Sequence, residues 1–281
     1  MITYSEIKTA RVLNPTSIDL GEYVINPYKG CVFSCLYCYV RSNKASLRSP
    51  YPWGSYVQAR VNTGEQLEKE LLLKKPKCVL LGSTTECFQP AEKMYGLTRL
   101  VLEILNKHKV QYVILTRSPL IREYIPLLKN GLCKTVYFTV NNFSELLKDS
   151  LEKGSPSFEE RYQAVLELLK YGIPVVAYVC PVLPGATDTF RLFKAFSGVK
   201  RIDFEGLNFN LKNIREIVYL IESVCPDLKE VYLNMLADSA FYEKIWQDVK
   251  SQILTQARKV GKDCHVFIHP FGQYFNNRYL D

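Results

Sequence analysis

Histidine is scarce in this chain: three residues in 281, His108, His265 and His269. None stands where a catalytic base is expected. His108 closes a helical stretch, where a cation suits the helix dipole, and the other two flank a short apolar strand. Also missing is any run of about 18 uncharged apolar residues, so no transmembrane helix is expected. The opening MITYSEIKTARVLNP lacks the apolar core of a signal peptide. A soluble, cytoplasmic protein with no membrane partner is the expectation. There is no internal repeat, no low-complexity tract and no linker marking a second domain, which leaves one domain of a size that α/β barrels commonly take.

Cysteine is present, but in a form that argues against a disulfide framework. Nine is an odd number, and in a reducing compartment a cluster of thiols more often binds metal or does chemistry. Cys31, Cys35 and Cys38 fall within eight positions, just after a short apolar segment and Gly30. Cys78, Cys133 and Cys180 lie in apolar runs and read as core residues. Cys225 and Cys264 stand alone. The net charge is +8, from 36 basic and 28 acidic residues, spread along the chain, which favours a polyanionic or phosphorylated partner.

The chain alternates between strand and helix patterns. Glu22 to Ile25 reads as a first strand, followed by the cysteine loop and a long segment, 41–61. Asn62 or Thr63 caps a helix carrying Glu65, Leu67, Leu71 and Leu72. Further strands are expected at 78–82, 112–115, 135–140, 174–179 and 202–209, and helices at 97–108, 121–128 and 157–171, the last opened by a Ser157/Glu160 capping box. Asp188 opens another helix; a long one at 239–259 and a late strand at 264–269 complete the reading. Six strand–helix units imply parallel strands with right-handed crossovers, fewer than a closed barrel needs. The expected fold is α/β, a partial (βα)6 TIM-like barrel over 22–210, with an N-terminal extension (1–21) and a C-terminal extension packed on the barrel (211–281). In such folds ligands sit at the carboxyl ends of strands. The cysteines follow a strand there, as do Ser83-Thr84-Thr85-Glu86, Thr116-Arg117-Ser118 and Asn141-Asn142.

Thiolates hold iron–sulfur clusters, and three at this spacing reach three corners of a cubane, leaving the fourth iron for a substrate or cofactor. The alternative is a structural zinc closed by a distant cysteine or His269; such sites use paired C-x2–4-C ligands, and no second pair exists here. Glu86, at a strand end, suits the capture of a cationic amine, or else a helix N-terminus. Arg117 suits a carboxylate clamp, or else a surface ion pair. The 41–60 segment mixes Arg41, Lys44, Arg48 and Arg60 with Tyr51, Trp53 and Tyr56. That mixture suits base stacking and phosphate contact; the same rings could instead pack over the barrel mouth and exclude water.

The pattern Cys31-x3-Cys35-x2-Cys38 followed by Tyr39, with strand–helix alternation after it, resembles the radical S-adenosylmethionine (SAM) superfamily. The resemblance implies a [4Fe-4S] cluster on the three cysteines, SAM chelated at the open iron, and reductive cleavage of SAM to a 5′-deoxyadenosyl radical that abstracts hydrogen from a substrate. It also implies a flavodoxin- or ferredoxin-like electron donor. Over residues 22–190, NPYKGC and YCY, W-G-x-Y-V at 53–57, TTECFQPAE, LTRSPLIRE, SPSFEERYQAV, YGIPV and PVLPG are similar to the spore photoproduct lyase and DNA repair photolyase group. This closer resemblance implies a nucleic-acid substrate, contacted through the 41–60 segment, and a hydrogen-relay role for Tyr37 and Tyr39. It places Tyr39, Ser83, Thr84, Thr85, Glu86, Arg117 and Asn141 around SAM. Two positions depart from the group. Ser83 stands where the lyase has its hydrogen-donor cysteine, with Cys87 the nearby substitute, and Arg117 stands where many relatives have Lys. The expectation is a related reaction on something else; a peptide or small metabolite is the competing substrate class, and a metal-stabilised binding module the competing non-enzymatic reading.

Overall fold

The computed structural model describes residues 2–272; residues 273–281 of the expected C-terminal extension, and the side chain of Lys44, lie outside the described residues. Among the described residues eleven strands form: β1 (Thr3–Ile7), β2 (Asn14–Pro15), β3 (Tyr23–Ile25), β4 (Tyr28–Lys29), β5 (Tyr56–Arg60), β6 (Cys78–Leu81), β7 (Gln111–Thr116), β8 (Cys133–Thr139), β9 (Val175–Val182), β10 (Arg201–Gly206) and β11 (Val266–Phe267). The six expected strands are β3 and β6 to β10. They lie side by side in chain order within an eight-stranded sheet, β2-β3-β6-β7-β8-β9-β10-β11. All neighbours in it are parallel except β2 and β3. The sheet does not close: β2 and β11 are its two edges.

Period-two alternation gives this sheet two apolar faces. Ile25, Val79, Leu81, Ile114, Phe138, Val179 and Phe204 point into one large core shared with the helices. Val24, Leu80 and Val113, backed by Leu115 and Tyr137, form a separate cluster on the other face, inside the curve of the sheet. Val12 and Leu13 near the start of the chain, and Tyr232, Tyr242 and Trp246 near its end, belong to the large core, so both extensions are built into it.

Three local expectations change. The helix expected at 121–128 is a 3-10 turn, Pro119–Tyr124, followed by a short helix, Ile125–Asn130. Pro126 has no N–H to donate to residue 122, so a helix starts beside it rather than running through it. A helix not expected, Glu145–Leu151, is opened by Ser144, whose side chain accepts from Leu147 N–H. The segment 41–61 is only partly loop: its end, β5, pairs in parallel with β1 and antiparallel with β4 as the middle of a second, three-stranded sheet. Tyr28, Val57 and Ala59 of that sheet pack with Ala91 and Leu97 in a small core of their own.

Candidate active site

The cysteine loop leaves β4 and returns to β5, its two ends joined by the pairing of Tyr28 with Ala59 and Lys29 with Gln58. Gly30 has a φ of +87°, and a Cβ there would meet the Tyr56 carbonyl oxygen at 2.3 Å, so only glycine fits the turn into Cys31. The Gly30 carbonyl accepts from Thr85 Oγ1 at 2.5 Å and Gln89 Nε2 at 3.3 Å, while Gln89 Oε1 accepts from Val32 N–H at 3.1 Å. Arg41 braces the loop from within, donating from Nε to the Cys35 carbonyl (2.8 Å) and from Nη2 to that of Ser34 (2.7 Å). Gly30→Ala is therefore expected to lower stability by about 1–3 kcal/mol and to lower iron uptake; a variant with unchanged melting temperature and iron content would contradict this account of the turn.

Arg117 Nη1 lies 3.2 Å from Cys35 Sγ, and the backbones at Glu86 and Val40 partly offset the effect of burial on the Cys31 and Cys38 thiols. Cys35 Sγ is also 3.5 Å from Ser155 Oγ. Burial pushes the Cys31 thiol up to about 12 and the Cys38 thiol up to about 11, so both stay protonated until a metal centre displaces the proton. Three thiols on one loop, one of them facing a guanidinium, suit the thiolate ligation of an iron–sulfur cluster. Among the described residues no three His, Cys, Asp or Glu side chains converge on one ion position, the three cysteines included.

Beneath Cys35 lies a buried polar network. Arg117 Nη1 donates to Tyr37 Oη at 2.7 Å and to Glu152 Oε1 at 2.9 Å. Tyr37 Oη donates to Glu152, Asn141 Nδ2 donates to Glu152 Oε1 at 2.7 Å, and Arg161 forms an ion pair with the other carboxylate oxygen. The side chains of Glu152 and Arg161 are each 1% exposed. Burial alone would raise the Glu152 carboxyl, but Arg161 and Arg117 overcome it and hold the group down at about 2, so the network contains a permanent carboxylate between two guanidinium groups.

The residues singled out from the sequence thus fall into two sets. Tyr37, Arg117 and Asn141 enter the network under Cys35. The Arg117 bonds all come from Nη1 and run to this chain's own groups, so that edge of the expected carboxylate clamp is already engaged. Asn141 also bonds the backbone of Cys180 in both directions, at 2.7 and 3.0 Å. The second set lines the loop after β6. Tyr39 Oη donates to the Ser83 carbonyl at 2.7 Å, Asn26 Nδ2 reaches Ser83 Oγ at 3.5 Å, and Asn26 Oδ1 accepts from Thr84 N–H at 3.0 Å. Thr85 holds Gly30. The Glu86 carboxylate is buried and accepts from Thr116 Oγ1 (2.7 Å), Arg117 N–H (3.0 Å) and Phe88 N–H (3.0 Å), fastening this loop to the end of β7. Burial pushes its carboxyl up against the pull of those donors. Cys87 has no exposed surface and belongs to the large core, where burial raises its thiol well above the ordinary value. In the 41–60 segment Tyr56 is buried, Trp53 meets it edge-on at 6.5 Å, and Tyr51 remains exposed.

Glu152 and Arg161 were not singled out. Arg161 lies inside SPSFEERYQAV, where a charged residue on the buried side of an amphipathic helix was the available signal. Glu152 follows a helix in a polar stretch and carried none.

The radical SAM superfamily profile matches residues 25–192 of the chain. An uncharacterized protein of Methanocaldococcus jannaschii is 30% identical over 250 residues, covering 88% of this chain and 93% of that protein. A radical SAM Nα-GlyT isomerase of Pseudomonas phage M6 is 27% identical over 180 residues, 62% of this chain and 36% of that protein. Among solved structures, spore photoproduct lyase complexed with dinucleoside spore photoproduct superposes with a TM-score of 0.68 at 16% identity, covering 95% of this chain and 82% of the lyase.

Proposed function

The chain belongs to the radical SAM superfamily, and from that premise we propose that Cys31, Cys35 and Cys38 hold the [4Fe-4S] cluster of this SAM-dependent enzyme. The observation that carries the reading is the cysteine loop itself, closed at its neck by the β4–β5 pairing, with Arg117 Nη1 3.2 Å from the buried Cys35 Sγ. When bound, the cluster and SAM together supply the 5′-deoxyadenosyl radical that takes a hydrogen atom from the substrate. This chain's own residues do the rest. Arg117 and Arg161 offset the negative charge gathered at Cys35 and Glu152. Tyr39, fixed by the Ser83 carbonyl, and Asn26, fixed on Thr84, shape the strand-end rim over which SAM is held. Tyr37 donates its hydroxyl hydrogen to Glu152, so its part is to orient Arg117 against Cys35.

The substrate we propose is nucleic-acid related. The lyase structure that shares this fold holds a dinucleoside spore photoproduct, and the chain carries a net charge of +8. With Ser83 at the strand end and Cys87 sealed in the core, neither position supplies the thiol hydrogen donor of the lyase, so the reaction is expected to differ from lesion reversal. Anaerobic reconstitution with iron and sulfide, then reduction in the presence of SAM, is expected to load about four irons and release 5′-deoxyadenosine. Failure of either overturns the cluster assignment. Binding of labelled single-stranded DNA is expected to weaken with a linear log–log dependence on salt; absence of binding at low salt removes nucleic acid as the substrate.

A further inference from the structure

Between Glu22 and Glu65 the chain has no acidic residue, while Lys29, Arg41, Lys44, Arg48 and Arg60 all fall in that stretch. The segment that bears the cysteines therefore carries most of the chain's net charge of +8. Its surface is apolar and aromatic as well. Leu47 and Tyr51 are 57% and 42% exposed, with the exposed Arg48 between them. The start of β1 borders this face, Thr3 N–H donating to the Ser55 carbonyl at 2.8 Å. The one carboxylate of β1, Glu6, pairs with Ala59 at the other end of β5, so that strand brings no acid to this end.

The cysteine loop lies directly behind this face. The Tyr51 ring stands 6.0 Å from that of the buried Tyr56. Tyr56 in turn packs on Gly30, where an added Cβ would lie 2.9 Å from its ring carbons, and Cys31 is the next residue. A second contact is at Ser34, whose Oγ donates to the Trp53 carbonyl at 3.4 Å and would meet a Cβ on Gly54 at 2.1 Å. Ser34 leads into Cys35, whose sulfur faces Arg117 and Ser155 instead. The 51–56 stretch and the strand-end rim thus meet the cysteine loop at different residues. The rim serves SAM and substrate; the face around Tyr51 reaches the loop by another side. A cluster reduced from outside needs such an approach, because electron transfer weakens steeply with distance, and transient redox encounters use small contacts steered by opposite charge.

The geometry points to the face around Leu47, Arg48 and Tyr51 as the docking surface for an acidic one-electron carrier of the flavodoxin type, which passes one electron to the cluster and is itself oxidised by one, with no bond made or broken. The inference rests on the cluster assignment above and goes beyond it in placing the donor; nucleic acid is the rival polyanion for the same charges. Flavodoxin hydroquinone, mixed in stopped flow with the reconstituted enzyme, tests it: the flavin semiquinone formed and the cluster absorbance lost are followed against ionic strength. Arg48→Glu is expected to slow this reduction roughly fivefold or more at low salt relative to Lys244→Glu, the same charge reversal at an exposed position of the helix Ser239–Lys259, and the difference to fade at high salt. Reduction by dithionite is expected to be the same in native and variant proteins. Tyr51→Ser, which keeps the charge and serves also if Arg48→Glu does not fold, is expected to weaken the binding of oxidised flavodoxin in calorimetry. Equal rates in the two charge reversals, or an affinity unchanged in Tyr51→Ser, overturns the docking assignment, while reduction by dithionite leaves the cluster assignment standing. Loss of single-stranded DNA binding in Arg48→Glu with an unchanged flavodoxin rate gives the face to nucleic acid and also overturns the proposal. A native protein that neither flavodoxin nor dithionite reduces overturns both.

Discussion

Cys35→Ala is expected to give a folded protein that takes up no iron–sulfur cluster and releases no 5′-deoxyadenosine from SAM. Cys35 is the buried member of the three cysteines and the one joined to the polar network through Arg117. Substituting partners outside the ligand sphere typically costs 10–100-fold in metal affinity, so removing a ligand itself is expected to cost at least about 100-fold. The paired control is Cys264→Ala, a cysteine whose hydrogen-bond contact among the described residues is a weak one to the neighbouring His265 carbonyl at 3.9 Å. Iron content and charge-transfer absorbance after anaerobic reconstitution read the difference. A Cys35→Ala protein that loads as much iron as the Cys264→Ala protein would refute the ligand assignment.

The second large effect concerns stability rather than the cluster. Arg161→Met removes one of two cations from a carboxylate whose side chain is 1% exposed, and breaking such a pair from one side costs about 3–5 kcal/mol, a fall in melting temperature on the order of 10 °C. Combining it with Glu152→Leu should recover much of the loss, since the uncompensated charge is then gone. The pH dependence has a definite sign. Glu152 is held at about 2 in the folded chain, below the ordinary 4.5 of a glutamate. Its contribution is therefore complete above the ordinary value and is lost as the pH falls from about 4.5 toward about 2. Urea unfolding across that range should show stability falling with acidification in the native protein, and a flatter profile in Arg161→Met. An identical acid limb in both would place the depression of Glu152 elsewhere.

The six parallel strands were legible because each is a short apolar run, and for β6 to β9 that run is set between helical patterns. The capping box at Ser157 and Glu160 is local and forms as read. The second sheet was not legible, because β1 and β5 are far apart in sequence and neither alternates strongly enough to announce a partner. The same distinction holds in the site. Three cysteines in eight positions stand out in a sequence, whereas the three donors that Glu86 accepts from, Thr116, Arg117 and Phe88, depend on which strand ends the fold brings together.

The small sheet has a further consequence. The excursion from Gly30 to Ser55 that carries the cysteines begins at β4 and ends at β5, and those two strands are hydrogen-bonded to each other at its neck, with β1 pinning β5 from the other side. Closing a flexible loop of this length costs about 3 kcal/mol in chain entropy. The neck meets that cost when the domain folds, so iron meets ends already brought together, and the affinity for it is not diminished by the work of gathering the loop.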